Sequence, residues 1–331
     1  METFTGLEYL KIDIANQYGM DKALWHERIA WTNENEGELE DRVSDADKPY
    51  LYLKAVNALR DTQNGLETGH VMGLDSTASG LQIMAVLIGC LETARNVNLI
   101  GSGRREDIYQ KVRNEMNRVL PINAHVTRDQ VKYPVMTTFY NSTAQPKEVF
   151  GEGTPELFTF YEVLSRELSG ALEVMDDINQ CWQSGAKVHE WTLPDGHVAR
   201  VPVMVAVDKK IEVDELNHAT FTHRMYVNEG TETGLSLPAN VIQSIDGWIV
   251  REMIRRSHKQ GFGMIAVHDD FFASPNHMNK VRKNFLDIMI ELSKMDLLGS
   301  ILRQITGTKH AYTKRSLDLH VHMSNAEYHL S

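Results

Sequence analysis

The sequence predicts an α+β protein built around an antiparallel sheet, and two observations carry that expectation. Stretches with apolar residues at helical spacing alternate with a few short β-rich runs. Those runs flank polar turns, at Pro194-Asp195-Gly196 and at His268-Asp269-Asp270, which is the pattern of antiparallel hairpins.

Taken in order, residues 1–50 read as a helical module, with LWHERIAW at helical spacing and NENEGELEDR as a solvated acidic stretch. HVMGLDSTASG reads as a short buried strand ending in a turn. GLQIMAVLIGCLETA fits a helix packed on its Leu81, Met84, Ala85 and Ile88 face. A further helix covers REDIYQKVRNEMNRVL, and TRDQVKYPVMTTFYN is another, with Pro134 expected to kink or loosen it. Thr154 and Pro155 mark the cap and first residue of one long helix with the core stripe Leu157, Tyr161, Leu164, Leu168, Leu172, Met175 and Ile178. The hairpin KVHEWTL/HVARVPVMVAV follows, then a helix from about Ala239 to Gln260 closed by Gly261. GMIAVHDDFFAS is strand, turn and strand, and Ser274-Pro275 opens another helix.

Composition narrows the class. With 331 residues, 42% of them hydrophobic, the chain can bury a large core, so disorder is not the expected state. The longest apolar run, from Ile83 to Leu91, is about half of the ~18 residues a bilayer-spanning helix needs, and METFTGLEYLKID lacks the marks of a secretory signal. A cytoplasmic location is therefore expected. Cys90 and Cys181 are far apart and read as buried free thiols. The net charge of −11 argues against a nucleic-acid binder, which normally shows a basic footprint. That charge is uneven, however. Residues 1–50 hold 12 acidic and 5 basic side chains, whereas residues 101–132 hold 7 basic and 4 acidic, so a local basic surface is compatible with the total.

Three segments carry candidate chemistry. Asp75 stands where an apolar strand breaks into small residues, and His268-Asp269-Asp270 stands at the tip of the GMIAV strand, where alternation puts Asp269 on the face of Val267. Each alone reads equally as turn chemistry. Together they offer two carboxylates at strand ends, the arrangement by which a rigid sheet holds two hard divalent cations for phosphoryl or nucleotidyl transfer. The third segment has Arg128, Lys132, Met136 and Tyr140 at intervals of four, which on a helix lines up two cations, an apolar stem and a phenol for a nucleotide laid lengthwise. Its bland alternative is an amphipathic helix with two exposed cations.

These segments resemble, in order, the motifs of the single-subunit RNA polymerases of T-odd phages and mitochondria. DSTASGLQ at Asp75 is similar to motif A, VTRDQVKYPVMTTFYN to motif B and HDD to motif C, and ARNVNLIGSGRREDIYQKV is similar to the stretch between A and B. Weaker similarity at EYLKIDIANQYGMDK, ADKPYLYLK, WTLPDG and ANVIQSIDG extends the match over residues 9–275. The resemblance implies a right-hand fold lacking the N-terminal domain and thumb. Its parts would be a helical palm insertion (1–66), a palm strand with motif A (67–78), fingers with motif B (79–239), and a palm with motif C and terminal helices (240–331). It also implies DNA-directed ribonucleotidyl transfer with two magnesium ions. Asp75, Ser76 and Asp269 would be metal ligands, and Arg128, Lys132, Tyr140, Gly80, Gln243 and His268 would bind the nucleotide. Asp75, Asp269, Lys132 and Tyr140 would be the catalytic set. Gly80 leaves room for a ribose 2′-hydroxyl where DNA-making relatives place Glu.

The pattern is departed from at Asn141 (usually Gly), Asp270 (usually Ser) and Gln243 (often His). The loop NEGTETGLSLPAN after Tyr226 is shorter than the family's promoter-reading hairpin, which argues against autonomous promoter recognition. Because the similarity starts well inside the family sequence, the expected whole is a heterodimer. This chain would be the larger, catalytic subunit of a split phage polymerase, in the host cytoplasm, acting on DNA, RNA and nucleoside triphosphates with a second polypeptide. Two other readings remain: a metal-dependent phosphohydrolase or nuclease using His268-Asp269, and an inactive polymerase-like scaffold.

Overall fold

A computed structural model of the chain describes residues 1–309 and 312–331. It is a mixture of helices and small antiparallel sheets. Three helices come first: α1 (Gly6–Ala15), α2 (Trp25–Glu34) and α3 (Pro49–Gln63). The first starts at a reciprocal cap, in which Glu8 N–H donates to Thr5 Oγ1 at 3.2 Å and Thr5 N–H donates to the Glu8 carboxylate at 2.7 Å. Between α2 and α3 the acidic stretch forms short 3-10 turns anchored by buried Leu39.

Strand β1 (Met72–Asp75) leads into α4 (Ser79–Ile88), which is buried along its whole length from Leu81 to Ile88. The expected one-sided packing is thus exceeded. A helix without a charged residue has no face to give to water, and it becomes the centre of the domain. Gly89, in the left-handed region at φ 72°, ends it, and α5 (Leu91–Asn96) and α6 (Ile108–Val119) follow. Next come α7 (Arg128–Thr138), α8 (Ala144–Phe150), α9 (Pro155–Glu167) and α10 (Ser169–Gln180). Pro134 does not break α7. Proline has no N–H to give the preceding turn, yet its own carbonyl stays in use, accepting from Thr138 Oγ1 at 2.7 Å. The long helix expected from Thr154 is instead two, divided at Leu168. Gly170 beyond the break lets α10 approach Cys90 so closely that a Cβ there would lie 2.5 Å from the Cys90 Cβ. Cys90 is buried as expected, while Cys181 is half-buried.

Strands β2 (Val188–Thr192) and β3 (Val198–Pro202) form the expected hairpin around Asp195-Gly196. A second hairpin had no clear sequence signal: β4 (Met204–Val213) pairs over ten residues with β5 (Ala219–Asn228). The segment before NEGTETGLSLPAN therefore carries a long hairpin of its own. Helix α11 (Leu237–Lys259) then leads to β6 (Ile265–Val267) and β7 (Asp270–Ala273). The chain ends with α12 (Met278–Lys294), α13 (Leu297–Thr306) and α14 (Leu319–His322), and a tail. Among the described residues no helix is long and apolar enough to cross a membrane.

The sheet that matters has the order β1-β7-β6, antiparallel throughout. Met72, Leu74, Phe271 and Ala273 point to one face and are buried there, with the Phe271 and Phe285 rings 5.8 Å apart across the contact with α12. The opposite face carries Gly73, Asp75, Asp270, Phe272, Ile265 and Val267. Gly73 is required there, since a Cβ would meet the Phe272 ring at 2.5 Å and the Asp270 carboxylate at 2.7 Å.

Candidate active site

The register of that sheet sets the site. Asp75 lies directly opposite Asp270, and Ser76 N–H donates to the Asp269 carbonyl at 3.1 Å, so the end of β1 is tied to the turn between β6 and β7. That turn is only two residues long, with His268 in the left-handed region at φ 56°. Asp269 therefore belongs to the turn, and Asp270, rather than Asp269, shares a face with Val267. The tail braces the same place. Ser331 N–H donates to the Asp75 carbonyl at 2.9 Å, Leu330 bridges to Ser76, and the buried Gln82 amide donates to the His329 carbonyl at 3.1 Å.

Above the sheet end lies a cleft of about 730 Å³. Its walls include every residue singled out from the sequence: Asp75, Ser76, Gly80, Arg128, Lys132, Tyr140, Gln243, His268 and Asp269. Thr127 caps α7 in a reciprocal box with Gln130, which aims Arg128 and Lys132 into the cleft from the first turns of the helix. Tyr140 follows in the turn after α7. A Cβ on Gly80 would lie 3.1 Å from the Tyr140 hydroxyl, so these two residues face each other at close range. Asn141 next to it sits at φ 66°, a conformation open to Gly and tolerated by Asn, which accounts for the family's glycine being replaced by this residue type. Ser76 lines the cleft next to Asp75. Its hydroxyl is buried and donates to Gln82 Oε1 at 2.6 Å, so its main-chain carbonyl is the atom left to offer a cation.

Electrostatics mark the cleft as strained. Asp75 is exposed to the open cleft, yet the protein around it displaces part of its hydration, and that desolvation, with the charges of Asp269 and Asp270, pushes its pKa up to about 7. Burial raises Asp270 to about 6 against the pull of Lys48, and one oxygen of Asp270 is buried without a partner. Asp246 on α11, one turn beyond Gln243, is raised to about 6 by burial and by Asp269. Crowded carboxylates that resist ionisation together are a donor set of hard oxygens suited to a divalent cation. Across the cleft, Arg128 is held by Asp107 at 2.8 Å and lies over the Tyr109 ring at 5.5 Å.

Sequence reasoning missed Lys22, Arg105, Asp107, Tyr109 and Asp246, all of which line the cleft. A signal existed for two of them, since Asp107 and Tyr109 lie in the DIY stretch quoted above, and for Asp246 through its spacing from Gln243. Lys22 and Arg105 lie in the quoted stretches EYLKIDIANQYGMDK and ARNVNLIGSGRREDIYQKV too, but nothing in their local pattern assigned them chemistry. His268 is the only histidine in the cleft wall among the described residues. Among the described residues, the one group of three His, Cys, Asp or Glu ligand atoms found within 4.8 Å of one another is elsewhere, at Glu212, Asp214 and His218 on the exposed end of the β4-β5 hairpin.

The comparisons with known proteins agree with this geometry. Residues 3–191 match the family model described as DNA-dependent RNA polymerase. The mitochondrial DNA-directed RNA polymerase of Schizosaccharomyces pombe is 31% identical over 165 residues, covering 42% of this chain and 14% of the relative. The chloroplastic/mitochondrial DNA-directed RNA polymerase 2 of Arabidopsis thaliana is 22% identical over 357 aligned positions, covering 90% and 35%. The DNA-directed RNA polymerase of Pseudomonas phage phiKMV is 25% identical over 174 residues, covering 42% and 21%. The matches thus span about a third or less of the length of these relatives. With more than half of its residues inside the family match, the chain belongs to the DNA-dependent RNA polymerase family.

Proposed function

We propose that this chain is the catalytic part of a DNA-directed RNA polymerase that joins ribonucleotides on a DNA template. The observation that carries the reading is the Ser76 to Asp269 hydrogen bond beneath a single cleft, which sets two acidic side chains from distant parts of the chain opposite Arg128 and Lys132. Asp75 and Asp269, with the Ser76 carbonyl, would hold two magnesium ions. Those ions, when bound, supply a lowered pKa for the attacking 3′-hydroxyl and charge neutralisation on the leaving pyrophosphate.

The chain's own residues do the positioning. Lys132 and Arg128 bind the triphosphate, and Tyr140 closes the sugar site against Gly80, where the missing side chain leaves space for a 2′-hydroxyl. Gln243 and His268 border the same site. The 3′-oxygen forms a bond to the α-phosphorus, the α–β phosphoanhydride bond breaks, and pyrophosphate departs. In this reading the β1-β7-β6 sheet is the palm, and residues 79–239 are the fingers. Residues 1–66 form a helical palm insertion, 67–78 carry motif A, and 240–331 return to the palm with motif C.

A second polypeptide would supply the N-terminal domain and thumb. Support comes from the short three-stranded sheet, whose strand β6 leaves Ile265 and Val267 exposed on an open edge. The test is incorporation of labelled ribonucleotides on single-stranded DNA with magnesium, using the chain alone and co-expressed with candidate partners. Asp269→Ala should abolish synthesis while leaving assembly intact. Synthesis that survives in that variant removes the site assignment.

A further inference from the structure

Of the cations in the cleft, two are already neutralised: Lys22 pairs with Asp21, and Arg128 with Asp107. Arg105 is different. It lines the cleft half-buried, with Asp107, Asp21 and Asp75 near enough to be felt but no carboxylate within ion-pair distance among the described residues. Its one hydrogen bond goes from Nε to Ser331 Oγ at 2.9 Å, an oxygen that also accepts from the buried Arg28. The Nε contact fixes the plane of the guanidinium and leaves both terminal nitrogens, the fork that matches two phosphate oxygens, without a partner among the described residues.

Positive charge also accumulates around it, because Lys22, Arg128 and Arg28 all lie within its electrostatic reach. Three carboxylates, Asp107, Asp21 and Asp75, offset these like charges without pairing with Arg105, so its open fork is the part of the site that an anion would complete. The anion must be multiply charged and reach from Arg105 to Lys132, the other cleft cation without an ion pair among the described residues. A triphosphate chain fits that description.

We infer that Arg105 is a phosphate-binding residue of the cleft, whose fork takes oxygens of the nucleoside triphosphate and of the pyrophosphate it releases. This rests on the polymerase reading and adds to it a cation that none of the motif residues supplies. Arg105 lies in the basic segment 101–132 and in the stretch ARNVNLIGSGRREDIYQKV, but its sequence position alone gave it no role.

The test measures binding of inorganic tripolyphosphate with magnesium to the full chain by calorimetry. The variants are Arg105→Gln, Arg105→Lys, Lys132→Ala and Arg118→Ala, with melting curves to establish folding. Gln keeps a donor for Ser331 Oγ but removes the charge, so a merely structural role would leave affinity intact. Arg105→Gln should weaken binding about tenfold or more, as loss of a charge-assisted pair does. Arg105→Lys should restore part of it, and Arg118→Ala, on the outer surface of α6, should change nothing. If Lys132→Ala weakens binding and Arg105→Gln stays within about twofold of the parent, the inference about Arg105 is wrong while the polymerase reading stands. Should the unmodified chain bind tripolyphosphate no better than sulfate, both fall together.

Discussion

Two acidic clusters in this molecule look alike on paper and differ in how far their charges are already relieved. At the end of the β4-β5 hairpin, Glu212, Asp214 and His218 bring their ligand-type atoms within 4.8 Å, yet all three side chains are exposed. His218 Nδ1 already lies 2.8 Å from Glu212 and 3.3 Å from Asp214. At the sheet end, Asp75 is exposed to the cleft while Asp269 and Asp270 are half-buried; lost hydration and the neighbouring acids raise Asp75, lost hydration raises Asp270, and none of the three carboxylates has an ion pair among the described residues. Proximity of acids is therefore a poor guide to a site. Unrelieved charge, held by a rigid sheet, is a better one.

The sharpest way to break this comparison is to neutralise one carboxylate in each cluster. Asp75→Asn should lower ribonucleotide incorporation by on the order of 10³-fold or more, since a metal-binding charge is lost. The same change should raise the melting temperature in EDTA by a few degrees, because it removes like-charge repulsion. Added magnesium should stabilise the parent and not the variant, following the mass-action rule for a ligand of the native state. A melting temperature that falls in EDTA would mean that the cleft carboxylates are satisfied, and the contrast would be lost.

A second contrast is between buried and exposed histidines. His329, in the tail that braces Asp75, is fully enclosed. Nε2 donates to the Arg282 carbonyl at 2.9 Å, Nδ1 has no partner, and burial with the Arg282 charge pushes its pKa down to about 3. A histidine whose folded pKa lies below its unfolded value near ~6.5 takes up a proton more readily when unfolded. Its penalty is absent above that value and grows as pH falls from there toward 3. Melting temperature should thus drop on acidification through this window, and His329→Gln should flatten the slope. A parallel slope in parent and variant would assign acid sensitivity to other groups.

What could be read in advance, and what could not, follows the same divide. Strand β1, the His268 turn and the cap at Thr154 were legible because local chemistry dictates them: an apolar run meeting small polar residues, or a hydroxyl before a helix. The division at Leu168 was not, because the apolar spacing runs on through it and Gly170 is needed only for the approach to Cys90. Strands β4 and β5 escaped notice because neither of their faces is buried, so VDKKIEV shows no clean alternation to read. Asp75, Lys132 and Tyr140 were found through motif order, while Lys22 and Arg105 enter the cleft only through tertiary packing. The assignment of Asp269 to the face of Val267 failed because alternation was extended one residue too far, into a two-residue turn.

Within the cleft a smaller effect separates sugar selection from catalysis. Tyr140→Phe removes a hydroxyl whose pKa burial has raised, in a place where Gly80 is its close neighbour. Incorporation of ribonucleotides should persist, and the preference for ribose over deoxyribose should narrow by roughly tenfold, the worth of one hydrogen bond. Competition between the two nucleotide types on one template measures it. An unchanged ratio would remove Tyr140 from sugar selection and leave Gln243 as the residue to test.

The smallest expected effect is at the hairpin end, and it is the one that completes the comparison. Glu212→Gln and Asp214→Asn remove two charges from a place where water and His218 already compensate them, and exposed pairs of this kind contribute little. Melting temperature should move by no more than about one degree, with or without magnesium, and incorporation should stay within about twofold. A larger loss of synthesis with unchanged melting would have a definite meaning. Because the two strands bury almost nothing, stability cannot transmit the change, and the hairpin end would have to touch template, product or a partner chain directly.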